Sequence, residues 1–325
     1  MEPESNGLLR AYVLDGQGSG KRADWAAVRR WTPDDGAIWI HLDAPHPDAV
    51  AWLRKDSGLD ESTCDTLLAG PTRPQSHAAP NGMVVILRGV NLNPSADPED
   101  MISLRLWVDG NRMISLSRRR LKAIEDLSED IEKPGGPLDS ADLMIDMAGH
   151  LLDRLAPTLD ALSATIDDLE DKAGDVNPSE VQGTLADKRS AIIALRRYIA
   201  PQKSAISEIS AMKLPIFEES HHGMLRVLVE RLEYSVEELD ELRDRTRVIQ
   251  DLLAGRQAET MNARMFTLSI ITAIFLPLGL LTGLLGINVG GMPGASDDRG
   301  FLIVCVLLGI VTIAEMVALR RMRWF

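Results

Sequence analysis

Between two long apolar stretches near the C-terminal end, Gly286–Gly294 reads GINVGGMPG. Four glycines and a proline in nine residues cannot continue a helix. The segment carries one polar side chain, Asn288, whose amide oxygen is suited to a hydrated cation, since ions are selected by rings of carbonyls or carboxylates. Asp297 and Asp298 follow closely. Repeated around an axis they would form an outer acidic ring that draws cations in; the alternative is a solvated turn. Glu315 is the only acid inside either apolar stretch. Intramembrane acids are functional candidates by default, but Arg320 lies five residues on, so an interfacial structural role is expected ahead of a proton relay. Farther back, Glu218, Glu219, His221 and His222 combine metal-ligand types in the run EESHH. Adjacent histidines diverge on a helix, so a capping turn is expected, with a cytosolic regulatory zinc site as the alternative.

The elements that position these residues follow from the distribution of charge. The 32 residues from Met265 to Ser296 carry none, and Gly300–Leu319 carries only Glu315. A bilayer core needs about 20 apolar residues of helix, and Met265–Leu285 and Gly300–Leu319 supply 21 and 20. Arg256 and Arg264 precede the first span, and Arg320, Arg321 and Arg323 follow the second. The positive-inside rule then places both termini in the cytoplasm and the connecting loop outside. From Met265 onward there are three acids and four bases, leaving 45 acids and 31 bases in residues 1–264. An acidic body is attached to a near-neutral hydrophobic hairpin.

The body divides into 1–135, expected to be a cytosolic α/β domain, and 136–264, a helical stalk. Leu8–Leu14, Ala37–Leu42, Met83–Val90, Met101–Val108 and Arg112–Ser117 read as strands, the last two flanking the Asp-Gly-Asn turn at Asp109–Asn111. Pro47–Ser57 and Asp60–Ala69 read as helices, and the arginine run Ser117–Lys122 as a helix opening. His41 and His46 read as turn residues rather than ligands. After the breaker Lys133–Pro137, helical patterns run over Ser140–Lys172 and Pro178–Lys213. A third starts near His222 and continues into the first span, a length near 95 Å at about 1.5 Å per residue. Its Leu225, Leu228, Leu232, Leu239, Leu242, Ile249 and Leu253, with Ser235 and Thr246 as polar layers, form a heptad seam suited to self-association. The two preceding helices can cover part of it, and the rest calls for copies of itself. The acids Asp167, Asp168, Glu170 and Asp171, and Glu237, Glu238, Asp240 and Glu241, read as solvated faces or as an acidic funnel wall.

Two membrane helices cannot enclose a water-filled path, so conduction requires several copies around an axis. Down the first span Ser269, Thr272, Leu276, Gly279, Gly283 and Gly286 recur at three- and four-residue steps, with Met265 and Leu268 at its start. This small, polar face either lines such a path or packs against a neighbouring helix. The span holds no carboxylate or imidazole pair. Zinc bound by such groups at about 2.0–2.3 Å would leave slowly, so weak, outer-sphere passage of a hydrated ion is expected instead.

Other classes are disfavoured. A net charge of −13 argues against a nucleic-acid partner. No phosphate-cradling glycine loop, nucleophile elbow or His-Glu-x-x-His motif is present, so an enzyme is not expected. Cys64 and Cys305 form no spacing pattern, and no signal peptide or cofactor is expected.

An α+β cytosolic domain, long stalk helices, a two-helix C-terminal transmembrane hairpin (spans 265–285 and 300–319, outer loop 286–299, basic tail 320–325) and a Gly-x-Asn loop resemble the CorA metal-ion transporter family. The family's usual Gly-Met-Asn is here Gly286-Ile287-Asn288. The following VGGMPG, with ILRGVNLNP at 86–94 and DMISLRLWV at 100–108, resembles its zinc-transport branch, called ZntB. The resemblance implies a CorA-like funnel and a homopentamer in the cell inner membrane, with the first span lining a central pore. It further implies divalent cations as cargo, zinc foremost, and Gly286, Ile287 and Asn288 as the outer selectivity loop. A magnesium or cobalt channel of the same superfamily and a non-transporting membrane-anchored sensor are the alternatives.

Overall fold

A computed structural model describes residues 6–70, 72–173, 178–286 and 298–321. The chain divides into two compact units, Met1–Gln250 and Asp251–Phe325.

In the first unit the strands β1 (Leu8–Leu14), β2 (Gly20–Arg22), β3 (Ile38–Asp43), β4 (Gln75–Ala79), β5 (Gly82–Gly89), β6 (Ile102–Val108) and β7 (Arg112–Ser117) form one sheet, ordered β2-β1-β3-β7-β6-β5-β4. Only the central β3–β7 pairing is parallel. The β6–β7 hairpin closes on the expected turn, where Asp109 Oδ1 accepts from the backbone N–H groups of Asn111 (2.8 Å) and Arg112 (2.6 Å). One sheet face is covered by α1 (Trp25–Arg30), α2 (Pro47–Lys55) and α3 (Glu61–Leu68), where Trp52, Leu53, Cys64 and Leu67 pack with Ile40, Val84, Ile86 and Trp107. The other face meets α4 (Lys122–Ile131) and α5 (Ser140–Lys172). Coverage on both faces explains why β5 is a continuous apolar run rather than an alternating one. Gly89 is needed where α5 approaches β5, because an added Cβ would stand 2.6 Å from the Leu151 side chain. The β2 and β4 edge strands and the short α1 carry no strong pattern in the sequence and are seen only here.

His41 is not a turn residue but a fully buried member of β3. Trp39 Nε1 donates to Ser115 Oγ at 2.8 Å, and the same hydroxyl lies 2.8 Å from His41 Nδ1. Burial, assisted by the Arg10 charge, pushes the imidazole down to about 3. The unfolded chain takes up this proton below about pH 6.5 while the folded chain refuses it. The stability that neutral His41 contributes is therefore complete above that pH and falls by about 1.4 kcal/mol per pH unit below it. Denaturant unfolding at pH 7 and pH 5 should show a smaller acid loss for His41→Gln than for the parent; equal losses would contradict this account.

Helices α5, α6 (Pro178–Ala211) and the first part of α7 (Glu219–Leu285) complete the unit. Asp153 and Asp167 of α5 pair with Arg231 and Arg245 of α7 at the same sequence offset, so these two helices run parallel in register. Arg189, Arg196 and Lys203 of α6 meet Gln250, Asp240 and Glu233 in reverse order, so α6 runs antiparallel to α7. The heptad seam is buried throughout, from Leu225 (0% exposed) to Ile249 (2%). The expectation that part of it awaits other copies is corrected: a single chain already covers it. Its polar layers satisfy themselves, Ser235 Oγ donating to Arg231 O and Thr246 Oγ1 to Arg243 O.

The second unit contains the rest of α7 and α8 (Gly300–Arg321). Both helices are long and apolar enough to cross a membrane, and their apolar windows are almost wholly unburied in the chain.

Candidate functional site

The candidate path begins with the periodicity of the first span. Ile270, Ala273, Ile274, Pro277, Leu278 and Leu281 are the half-buried residues of this part of α7 and share one face. On α8 the half-buried stripe is Val304, Leu308, Val311, Thr312 and Glu315, ending at buried Leu319. These are the faces on which the hairpin closes. Met265, Leu268, Ser269, Thr272, Leu276, Gly279 and Gly283 lie on the opposite side of α7, all exposed. The small, polar face is thus not consumed by packing within the hairpin.

Along that face Ser269 Oγ donates to Met265 O (2.9 Å) and Thr272 Oγ1 to Leu268 O (2.8 Å). The hydroxyl protons are satisfied by the helix, leaving oxygen lone pairs outward, the polarity a cation or its water shell requires. Pro277 lies inside the helix and has no N–H to offer the carbonyl of Ala273. Gly286 ends the helix, its N–H donating to Thr282 O at 2.9 Å. Ile287, Asn288 and Asp297 lie outside the described residues; Asp298 is exposed just before α8. Glu315 sits on the half-buried stripe of α8, with Oε2 buried and without a hydrogen-bond partner among the described residues. It therefore faces into the hairpin rather than out toward the arginine tail.

The EESHH run does not act as one cluster. Glu218 and Glu219 are exposed, and His222 Nδ1 donates to Ser210 O at 3.0 Å. His221 is buried, and its Nδ1 accepts from the Glu218 backbone N–H at 2.9 Å. That bond fixes the remaining proton on Nε2, which lies 3.2 Å from Asp142 Oδ1 and 3.7 Å from Asp139 Oδ2. Asp139, His221 and Asp142 are a ligand-type trio. A metal on Nε2 would have to displace that proton, so the arrangement reads as an electrostatic tie between the start of α5 and the first turn of α7. Asp139 also caps α5 through the N–H groups of Ala141 and Asp142. One turn on, burial and the Asp142 charge push Asp146 up to about 6. Asp142 and Asp139 lie 79 and 82 residues upstream of His221, so no local motif announces the trio.

Four of the eight acids in the two runs are paired, while Asp171, Glu237 and Glu241 are exposed. Arg245 holds Asp167 and Glu170 at 2.5 and 2.6 Å, Lys172 holds Asp168, and Arg196 and Arg243 share Asp240. Glu238 is raised by burial and by Asp160.

A family model described as CorA-like Mg2+ transporter protein matches residues 34–321. The chain belongs to the CorA family. The divalent cation transporter CmaX of Pseudomonas aeruginosa is 41% identical over 325 residues, covering 99% of this chain and 98% of that protein. The zinc transport protein ZntB of Yersinia enterocolitica is 31% identical over 321 residues, covering 97% and 95%. The solved structure of full-length CmaX matches with a TM-score of 0.87 at 39% identity, over 100% of both chains. The CorA architecture expected from the Gly-x-Asn loop and the two spans is therefore the one observed, and the CmaX relative is nearer in sequence than this ZntB relative.

Proposed function

We propose that several copies of this chain surround an axis in a membrane and pass divalent cations, zinc foremost, along the small, polar face of the first span. The observation that carries the reading is the placement of Ser269, Thr272, Gly279 and Gly283 on the exposed side of α7, opposite the half-buried side. With no charged side chain between Met265 and Leu285, an ion crosses there with much of its water retained. Gly286, Ile287 and Asn288 form the outer selectivity loop, and Asp297 and Asp298 raise the local cation concentration. The assembly is a homopentamer in the inner membrane with both termini cytoplasmic, as the flanking arginines favour. The names of the CmaX and ZntB relatives support a divalent cargo, and the ZntB name supports zinc.

The family description favours magnesium as a second reading. Purified protein in liposomes, assayed for entry of zinc, magnesium, cobalt and nickel with and without a pH gradient, separates the two. Zinc entry exceeding magnesium entry supports the proposal. Reversed preference selects the second reading, and vesicles closed to all four ions defeat both.

A further inference from the structure

Two arginines lie inside the first unit with no carboxylate paired to either among the described residues. Arg88 of β5 is 8% exposed and Arg105 of β6 is 1% exposed. In the β5–β6 register Arg88 stands opposite Ser103 and Arg105 opposite Ile86, so Arg88, Ser103 and Arg105 project from one face of the sheet. Both guanidiniums reach the same stretch of chain after α3. Arg88 Nη2 donates to Thr72 O and Nη1 to Met101 O, each at 2.7 Å; Arg105 Nη2 donates to Ala69 O at 2.8 Å and Gly70 O at 2.7 Å. Asp100, an acid that influences Arg88, gives its oxygens to Arg119.

These bonds leave a concentrated deficit. Seven buried side-chain polar atoms among the described residues lack a hydrogen-bond partner, and five belong to this group: Arg88 Nε, Arg105 Nε and Nη1, Ser103 Oγ and Thr72 Oγ1. All five can donate. The carbonyl end of α3 compensates Arg105 at Nη2 but does not serve its Nε and Nη1. Water would satisfy donors without cancelling charge, and two buried like charges on one face repel. Consistent with this, burial and the charges of Arg118 and Arg88 lower Arg105 from the usual guanidinium range. A donor set with two positive charges and no anion is what a small anion completes.

We propose that the cytosolic unit holds a small monovalent inorganic anion, of the chloride class, between Arg88 and Arg105, with Ser103 and Thr72 supplying hydroxyl donors. The site is separate from the cation path and does not depend on transport.

Crystals of the full chain soaked in bromide test it directly. An anomalous peak in contact with both guanidiniums is expected; density there without a bromide signal would assign water and overturn the proposal. In parallel, thermal unfolding of the full chain in detergent is compared in sodium chloride and sodium gluconate at equal ionic strength. Chloride should raise the midpoint by roughly 2–4 °C, and Arg105→Met and Arg88→Met should abolish the difference. Identical parent midpoints in the two salts would overturn it. If the variants fail to fold, the bromide and salt readouts on the parent still decide.

Discussion

Replacing Asn288 with alanine is expected to cut divalent-cation entry into vesicles by at least about tenfold while leaving the assembly intact. The segment Gly286–Gly294 offers a passing ion one polar side chain per copy, and a ring of copies multiplies its loss. A hydrogen bond involving a charged partner contributes about 1.5–3 kcal/mol, and about 1.4 kcal/mol is a factor of ten in rate. Removing several weak contacts to a hydrated ion reaches that threshold readily. Asn288→Asp keeps the oxygen and adds charge, so entry should persist with altered preference among zinc, magnesium, cobalt and nickel. Equal entry by the parent and Asn288→Ala would remove the loop amide from the selectivity role.

The second large effect is on stability. Leu239 lies in the α7 seam with no exposure, and Leu239→Ala should destabilise by about 2–5 kcal/mol. For a unit of this size that lowers the thermal midpoint by on the order of 10 °C. Thr246 is equally buried, but its hydroxyl bonds only its own helix, to Arg243 O. Thr246→Val should therefore stay within about 1 kcal/mol of the parent. Thermal unfolding of both variants at one protein concentration checks the contrast. Were the seam instead an interface between copies, the Leu239→Ala midpoint would depend on protein concentration in a way the parent's would not.

Much of this architecture was legible because the pattern is local. The five strands, the breaker at Lys133–Pro137, the limits of α5 and the apolar spans each rest on periodicity or punctuation within about 30 residues. The family resemblance rests on the body, the stalk, the two spans and the Gly286–Asn288 loop together, with ILRGVNLNP and DMISLRLWV in the body. What escaped the sequence was pairing at long range. Seam leucines look alike whether a neighbouring helix of the same chain or another copy covers them, and only burial separates the cases. His221 meets Asp139 and Asp142 rather than its sequence neighbour Glu219. Arg88 and Arg105 look like ordinary strand residues until the register places both on one buried face. His41, near Asp43 and Asp48, reads as a turn residue in sequence, whereas Ser115 on the paired strand stands opposite it and meets its ring.

The shared offset of the ion pairs between α5 and α7 has a mechanical consequence. Arg231 and Arg245 stand two heptads apart and meet Asp153 and Asp167, also two heptads apart. A slide of α7 by a fraction of a helical pitch would pull Arg231 from Asp153, whereas Arg245 already spans Asp167 and Glu170. A slide by a whole pitch, about 5.4 Å, would bring new side chains opposite one another at once. Axial travel between these helices is thus notched at Arg231 like a detent, while the twofold grip of Arg245 gives the notch some play.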